Sequence, residues 1–516
     1  MIPSINNESA AGKQNPGPAA DTEIADIEMA PMAVPALAEP ALKRDDDPFL
    51  VAFAPSDPEN PLNWPTGRKW AVTDVLSATG FNRIMVSTIM APALPLISKE
   101  LDMTTTQSVM AMSIYLLATA FGPLVIGPLS EVYGRQRILH ASNLWFLVWN
   151  IACGFATTKG LLIAARFLAG FGASAIYSLA GGVLGDVWHP EQRGRSLGIY
   201  LLIPVLGAAI GPIIGGFMAG RASWRWMFWA TSMFQGVMIL VSFTTFRETY
   251  APYILQKKAE RRRRETGDPR YQTVLERLHT VQSKSPSILS TIGRALARPI
   301  RLLAFHPIIQ VTAMISAFNY GVLYIVLSSF ADLWTQQYGT SVELSGLHYI
   351  ACALGEGAGS QLGAPLMDRL YKHMKARSGN EHMPEYRVPL TFAGALIGPL
   401  GLFIYGWTAQ NHVHWAAVDV GIFIAMFGGQ IASMPLSAYV IDAYQEHASS
   451  ALAASQFLRS LTAFLFPLFA PSMYHALGYG WGNSLLAFAS LLLGLPAPLV
   501  IWKYGARLRA KAVSSY

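Results

Sequence analysis

The sequence predicts an all-α membrane protein with twelve transmembrane helices in two six-helix bundles. Three observations carry this. Of 516 residues, 52% are hydrophobic and only 13% charged, against about 25% charged in ordinary soluble domains. Apolar windows of about 20 residues recur along the chain, each long enough to cross a hydrocarbon core of about 30 Å. A long basic stretch, Arg247 to Arg301, divides these windows six and six.

The first 47 residues hold nine Asp or Glu against Lys13, Lys43 and Arg44, are rich in Ala and Pro, and lack an apolar core. They are expected to form a disordered tail (residues 1–56 with the approach to the membrane), leaving the first span to direct insertion. Trp64 and Trp70 suit the membrane interface just ahead of that span. The first bundle is assigned to 57–246, with spans at about 71–95, 108–128, 138–156, 161–185, 196–219 and 226–246. The linker, 247–306, carries thirteen Lys or Arg against five Asp or Glu up to Arg301, which places it on the cytoplasmic side. The second bundle, 307–503, has spans at about 307–330, 344–366, 389–408, 414–438, 450–474 and 481–502. A short tail, 504–516, follows, and both termini are expected to be cytoplasmic.

The net charge of +7 raises nucleic acid as a partner, but the basic residues are confined to loops between spans, which fits membrane topology instead. Cys153 and Cys352 are the only cysteines and both lie in apolar windows, so neither a disulfide framework nor a cysteine metal site is indicated.

The stretch Pro204 to Gly216, P-V-L-G-A-A-I-G-P-I-I-G-G, is a poor helix by propensity, since an interior glycine costs about 1 kcal/mol and a proline about 3 kcal/mol. In a bilayer the cost of unpaired backbone groups keeps it helical, and small residues let a neighbouring helix approach closely. Gly207, Gly211 and Gly215 recur every four residues and share one flank.

In the loop after span 2 the chain reads G-P-L-S-E-V-Y-G-R-Q-R, Gly127 to Arg137. With N-P-L-N-W-P (Asn60 to Pro65), A-P-A-L-P (Ala91 to Pro95), W-R-W-M-F-W (Trp224 to Trp229), R-E-T-Y-A-P (Arg247 to Pro252), P-E-Y-R-V-P (Pro384 to Pro389) and Y-V-I-D-A-Y (Tyr439 to Tyr444), it resembles the twelve-span fungal drug:H+ antiporters of the major facilitator superfamily. The resemblance runs along most of residues 57–510. It implies a gating cluster of Gly127, Glu131, Gly134, Arg135 and Arg137, joined by Asp186 and Arg193 after span 4. Such charges can clamp helix ends and release them in a conformational switch. Glu131 stands where Asp is more usual, Val132 where Arg often follows, and Gln136 interrupts the Arg pair. Gly207, Gly211, Pro212, Gly215 and Gly216 resemble the family's antiporter motif, which distinguishes exporters from symporters. Asp368 and Arg369 look like a remnant of the loop signature in the second half, and Asp442, in the second-half loop after span 10, is expected to serve a cytoplasmic charge cluster as Asp186 does.

Two charges stand inside predicted spans. Arg166, in L-I-A-A-R-F-L-A-G-F-G, resembles the family's span-4 Arg that is linked to proton coupling, with Ala169 where Gln is frequent. A charge there costs at least about 2.5 kcal/mol unless it faces partners or water; the bland alternative is that it only ties span 4 to a neighbour's carbonyls. Glu356, between Gly355 and Gly357 in span 8, is a candidate proton carrier, since burial favours a protonated carboxyl; the alternative is pairing within a tight helix contact. Arg459 is read as structural. A polar and aromatic set, Tyr115, Tyr177, Gln235, Asn319, Tyr320, Tyr324, Gln361 and Gln430, has the mixture expected of a broad small-molecule cavity, although each also suits plain packing.

Enzyme readings find little. His412 and His414 form an H-x-H in a short loop with no carboxylate cluster, and no G-x-S-x-G elbow or P-loop is present. No metal or cofactor is expected. The expectation is a monomeric secondary transporter that exports a small molecule in exchange for protons, in the plasma membrane or else the vacuolar membrane. A proton-coupled importer and a transporter-like receptor are the alternatives.

Overall fold

A computed structural model describes residues 48–274, 276–277, 288–379, 383–444 and 448–513. Of the expected disordered tail 1–56, residues 1–47 lie outside the described residues, as do 514–516 at the end of the chain, whereas 48–56 are ordered against the linker, Leu50 bridging Gln272 and the Val51 N–H donating to the Gln272 carbonyl at 2.9 Å. The described secondary structure is almost entirely helical, with one isolated bridge between Leu50 and Gln272.

The first half contains α1 (Thr66–Thr88), α2 (Thr105–Tyr133), α3 (Arg135–Gly154), α4 (Lys159–Val187, two helices meeting at Ser174), α5 (Pro190–Arg221) and α6 (Arg225–Thr245). The linker forms α7 (Ala251–Thr266) and α8 (Ile288–Phe305). In the second half follow α9 (Pro307–Asp332), α10 (Val342–Arg377), α11 (Pro389–Gln410), α12 (Trp415–Ala443), α13 (Ala448–Gly494) and α14 (Pro496–Val513). Among the described residues, eight helical stretches are apolar and long enough by themselves to cross a membrane. The polar or glycine-rich α3, α5 and α10 complete the path, and α13 divides at Gly478, whose φ of 70° turns the chain. Twelve spans result. The first is shorter than predicted: α1 stops at Thr88, and Pro92 opens a tight turn, Ala91–Ala93, before the short helix Leu94–Glu100.

Helix starts follow their cap chemistry. Thr104 and Gln107 form a reciprocal capping box on α2, and Thr158 and Ser341 accept the backbone N–H of Leu161 and Leu344, which satisfies donors that would otherwise be orphaned. Small residues set the closest packing. Gly394 and Gly401 of α11 lie directly on the backbone of α12 at Ala432 and Ala425, and Gly428 of α12 lies on that of Gly398, approaches that a side chain would forbid.

The two halves meet at the face of the bundle opposite the linker, hereafter the far face. A Cβ on Gly216 would come 2.8 Å from the carbonyl oxygen of Val342, and one on Gly346 would come 2.7 Å from that of Pro212. Arg221 reinforces the contact, with Nε 3.1 Å and Nη2 3.3 Å from the Glu343 carboxylate. Deeper in, Thr119 and Ser460 share a hydroxyl hydrogen bond of 3.1 Å, and the rings of Phe121 and Phe457 meet edge to face at 5.5 Å.

Candidate functional site

Arg166 is fully buried on α4. Its three hydrogen bonds go to backbone carbonyls: Nη1 to Val86 at 3.0 Å, Nε to Ala111 at 3.3 Å and Nη2 to Met112 at 3.4 Å. Its guanidinium stacks on Tyr115 at 4.5 Å. Bonds from a charged donor contribute about 1.5–3 kcal/mol each, enough to offset the membrane cost of the charge. The residue thus knits α4 to α1 and α2, the tying geometry, while also lying within electrostatic reach of Tyr324 in the other half.

Arg83 of α1 escaped the reading of the sequence, although it is 2% exposed. It donates to the Asn143 side chain and to the Ala173 carbonyl at 3.3 Å, and its own carbonyl accepts the Tyr115 hydroxyl at 2.9 Å. Its position well inside a span was the available signal.

In the second half, Glu356 (α10), Arg459 (α13), Asn319 and Tyr320 (α9) and Gln430 (α12) line one internal pocket. The Arg459 guanidinium lies 4.4 Å from the Tyr320 ring centroid and is the cationic neighbour of Glu356. Asn319 donates to Ser433 at 3.0 Å. The Tyr320 and Tyr324 rings are 5.2 Å apart, and Tyr177 of the first half interacts with Tyr320, Tyr324 and Arg459. Tyr177 is nonetheless 42% exposed, which means that it faces open space between the halves. A run of groups in mutual reach therefore crosses the interface: Arg166, Tyr324, Tyr320, Arg459 and Glu356. Arg459, read from sequence as structural, is central to it.

Three members of the expected cavity set stand elsewhere. Gln235 is completely buried and its side-chain oxygen accepts from Asn82 at 3.1 Å, so it packs α6 against α1. Tyr115 is 2% exposed and spent on Arg166 and Arg83. Gln361 is exposed on α10. Tyr115 lies on α2 and Gln235 on α6, both apolar enough around these positions that periodicity does not reveal which way a polar side chain faces.

At the linker end of the first half, Arg135 Nε is 2.6 Å from Asp186 Oδ2, and Arg135 Nη1 is 3.4 Å from Ser130 Oγ. Glu131 lies within electrostatic reach of both Arg135 and Asp186. Glu248 of R-E-T-Y-A-P accepts the backbone N–H groups of Arg135 at 2.9 Å and Gln136 at 3.2 Å, capping α3 where negative charge suits the helix dipole. Thr249 donates to Asp186 at 3.2 Å, and the Tyr250 ring lies 4.9 Å from the Arg135 guanidinium. Gln136 also has a partner, the Phe246 carbonyl at 2.9 Å.

Gly134, at φ 89°, has no room for a side chain beside Glu248. Gly127 does have room, the nearest atom being 3.8 Å away, so packing alone does not demand glycine there. Arg137 sits 5.8 Å from the Tyr253 ring, and the Arg193 side chain lies outside the described residues. These contacts join helices of one half to the start of the linker, so the expected clamp is internal to that half.

A counterpart occupies the second half. Arg387 Nε is 2.5 Å from Asp442 Oδ2, with Asp368 3.7 Å from Nη1. Glu385 accepts Arg509 of α14 at 3.0 Å, so P-E-Y-R-V-P ties the start of α11 to α12 through Arg387 and to α14 through Glu385.

The glycines of α5 divide into two faces. Cβ atoms at Gly207 and Gly211 would come 2.6 and 2.7 Å from the Phe81 and Met85 carbonyl oxygens, and Gly215 lies against that of Ile89. This flank seats α5 on α1. Pro212 and Gly216 belong to the other face, the contact with α10.

The model of the Major Facilitator Superfamily matches residues 76–467. The chain is 54% identical over 428 residues to the "Probable efflux pump mfs2" of Aspergillus flavus, covering 83% of this chain and 100% of that one. It is 41% identical over 468 residues to the "Efflux pump vrtL" of Penicillium aethiopicum, covering 90% and 91%. Among solved structures, the partially occluded inward open form of the E. coli xylose transporter XylE matches with a TM-score of 0.61 at 13% identity, over 85% of this chain and 98% of that one, a likeness of fold.

Proposed function

Because the chain belongs to the Major Facilitator Superfamily, we propose that it exports small organic molecules of the fungal specialised metabolite, toxin or antifungal type in exchange for protons. The run of charged and aromatic groups across the interface supports this reading. Tyr177, Tyr320, Tyr324, Asn319 and Gln430 present apolar faces and a few orienting polar groups to a cargo held between the halves. Glu356 carries the exchanged proton. Protonation cancels its attraction for Arg459, which frees the guanidinium resting on Tyr320 and changes the cavity wall. Arg166 supplies the fixed positive charge on the opposite side.

In this reading the halves are 57–246 and 307–503, joined by the cytoplasmic linker 247–306, and the tails 1–56 and 504–516 are also cytoplasmic. The far face is extracellular, and its closure leaves the cavity open toward the cytoplasm. The protein works as a monomer in the plasma membrane. Its partners are the cargo, protons and lipid, without nucleic acid, metal or cofactor, and it catalyses no covalent chemistry.

The test is flux in proteoliposomes. A pH gradient should drive a candidate metabolite in the direction opposite to the protons and reverse it when the gradient is reversed. Movement with the protons would mean import, binding without flux a receptor, and flux indifferent to gradient collapse would remove protons from the cycle.

A further inference from the structure

His348 and Asp419 form a titratable pair that lies apart from the interface run. Both sit in the first turns of their helices near the far face, His348 on α10 and Asp419 on α12. Nδ1 of His348 is 2.8 Å from Asp419 Oδ2. Since the carboxylate can only accept, Nδ1 carries the hydrogen, and Nε2 is the nitrogen left to take up a further proton.

The surroundings suit a cation. The Trp334 ring is stacked on the imidazole at 3.6 Å and 9°, so a charged ring would lie on an electron-rich face. Asp419 Oδ1 is buried without a hydrogen-bond partner. The carboxylate therefore keeps unspent accepting capacity, and a positive neighbour relieves the cost of burying it. The other titratable groups around the pair are Tyr338, which interacts with Asp419 and has its ring 6.1 Å from that of His412, then His414 beside Trp415, and Cys352 one turn deeper. The groups interacting with the pair thus include Asp419 as counter-charge and, among these neighbours, no Lys or Arg. The pair remains 13% and 18% exposed at its side chains, enough for proton exchange.

The spacing connects it with the transport machinery. His348, Cys352 and Glu356 follow at four-residue intervals on one face of α10, and Cys352 lies within electrostatic reach of both Asp419 and Glu356. Eight residues of helix separate His348 from Glu356 by about 12 Å, which requires water or a helix movement between them.

We propose that His348 and Asp419 form a proton-binding site at the far face, where Nε2 accepts a proton to give an imidazolium held between the Asp419 carboxylate and Trp334. This loads the second half with the proton that Glu356 later carries, and that second statement rests on the proton-exchange reading above. The uptake is a simple protonation, with the charge balanced by Asp419.

Stacking provides a direct measurement, because an imidazolium in contact with an indole quenches its fluorescence. In the purified full-length protein, lowering the pH should quench a component of tryptophan emission. That component should vanish in His348→Gln, shrink several-fold in Trp334→Phe, which leaves only Trp415 with its ring 5.8 Å from the imidazole, and move to lower pH in Asp419→Asn, whose carboxamide supplies no counter-charge. A wild-type titration unchanged by His348→Gln, or an Asp419→Asn titration that does not move, would overturn the site. If His348→Gln does not fold, the other two variants decide.

Flux separates this inference from the function. Quenching present while wild-type flux ignores the proton gradient would leave the site standing and remove its loading role. Proton-driven flux without the quenching component would do the reverse.

Discussion

Arg135 on α3 and Asp186 at the end of α4 are joined through Nε and Oδ2 at 2.6 Å, and Arg387 and Asp442 reproduce the pair at 2.5 Å in the second half. Each pair is about one-tenth exposed. Each holds the start of its half's third helix to the end of the fourth, and Gly182 leaves α4 open at the place where the Arg135 guanidinium rests. An ion pair at this depth is costly to halve, by about 3–5 kcal/mol when one partner is removed. Asp186→Asn and Asp442→Asn should therefore each lower the thermal unfolding temperature of the detergent-purified protein by several degrees, and Gly182→Leu should do the same through Arg135. An unchanged melting curve for Asp186→Asn would show that the contact is incidental.

The two faces of α5 predict two different phenotypes. Gly211→Leu drives a side chain into the Met85 carbonyl within one half and should abolish folding, seen as loss of a monodisperse peak. Gly216→Leu meets Val342 across the interface and should leave the protein folded while weakening closure at the far face. Cysteines placed at Arg221 and Glu343 should crosslink readily in the parent and several-fold less in Gly216→Leu.

Arg166→Ala removes three carbonyl contacts and the charge facing Tyr324. Proton-driven flux should fall at least about tenfold, equivalent to 1.4 kcal/mol, with the protein still in the membrane. Arg166→Lys should recover little, because an ammonium cannot span three acceptors on two helices in the guanidinium's geometry. Full coupled flux in Arg166→Ala would remove the residue from the cycle.

The segment before α1 is strapped to the linker. Asp57 pairs with Lys258, Arg261 is 3.2 Å from Glu59, and Val51 N–H donates to the Gln272 carbonyl at 2.9 Å. The Lys258 hydrogen bond, aided by the backbone N–H of Glu59, holds the Asp57 carboxyl below its ordinary value of 3.8. A lowered carboxylate stabilises the contact fully above that ordinary value, and the contribution is lost as the pH falls through the folded-state value. Protease cleavage at the strap should rise only below about pH 4, and Asp57→Asn should be cleaved readily at neutral pH. Equal protection of the variant and the parent at pH 7 would show that the ion pair does not hold the strap.

Much of this was legible along the chain. Hydropathy and the basic stretch from Arg247 marked the spans, and the spacing of Gly207, Gly211 and Gly215 marked one packing flank, because membrane thickness and helix period act on local sequence. Arg166 stood out for the same reason, a charge inside an apolar window. Arg83 sits in just such a window and was passed over. The facing of Gln235 and Tyr115 was not legible, since polar side chains on a helix buried on several sides leave no amphipathic stripe. Nor was the role of Glu248, whose value lies in capping a helix that starts 113 residues earlier.

By itself the sequence determined an all-helical, twelve-span chain with a basic linker, its glycine-rich fifth span and its intramembrane charges. These follow from solvent and backbone constraints that act within each segment. Only the tertiary structure decided that Gly216 and Gly346 close one half on the other, that Arg459 rather than Tyr115 joins the interface run, and that His348 meets Asp419 under Trp334. Those partners come from different helices, and their meeting depends on how the helices rotate and cross when they pack, which no single span specifies.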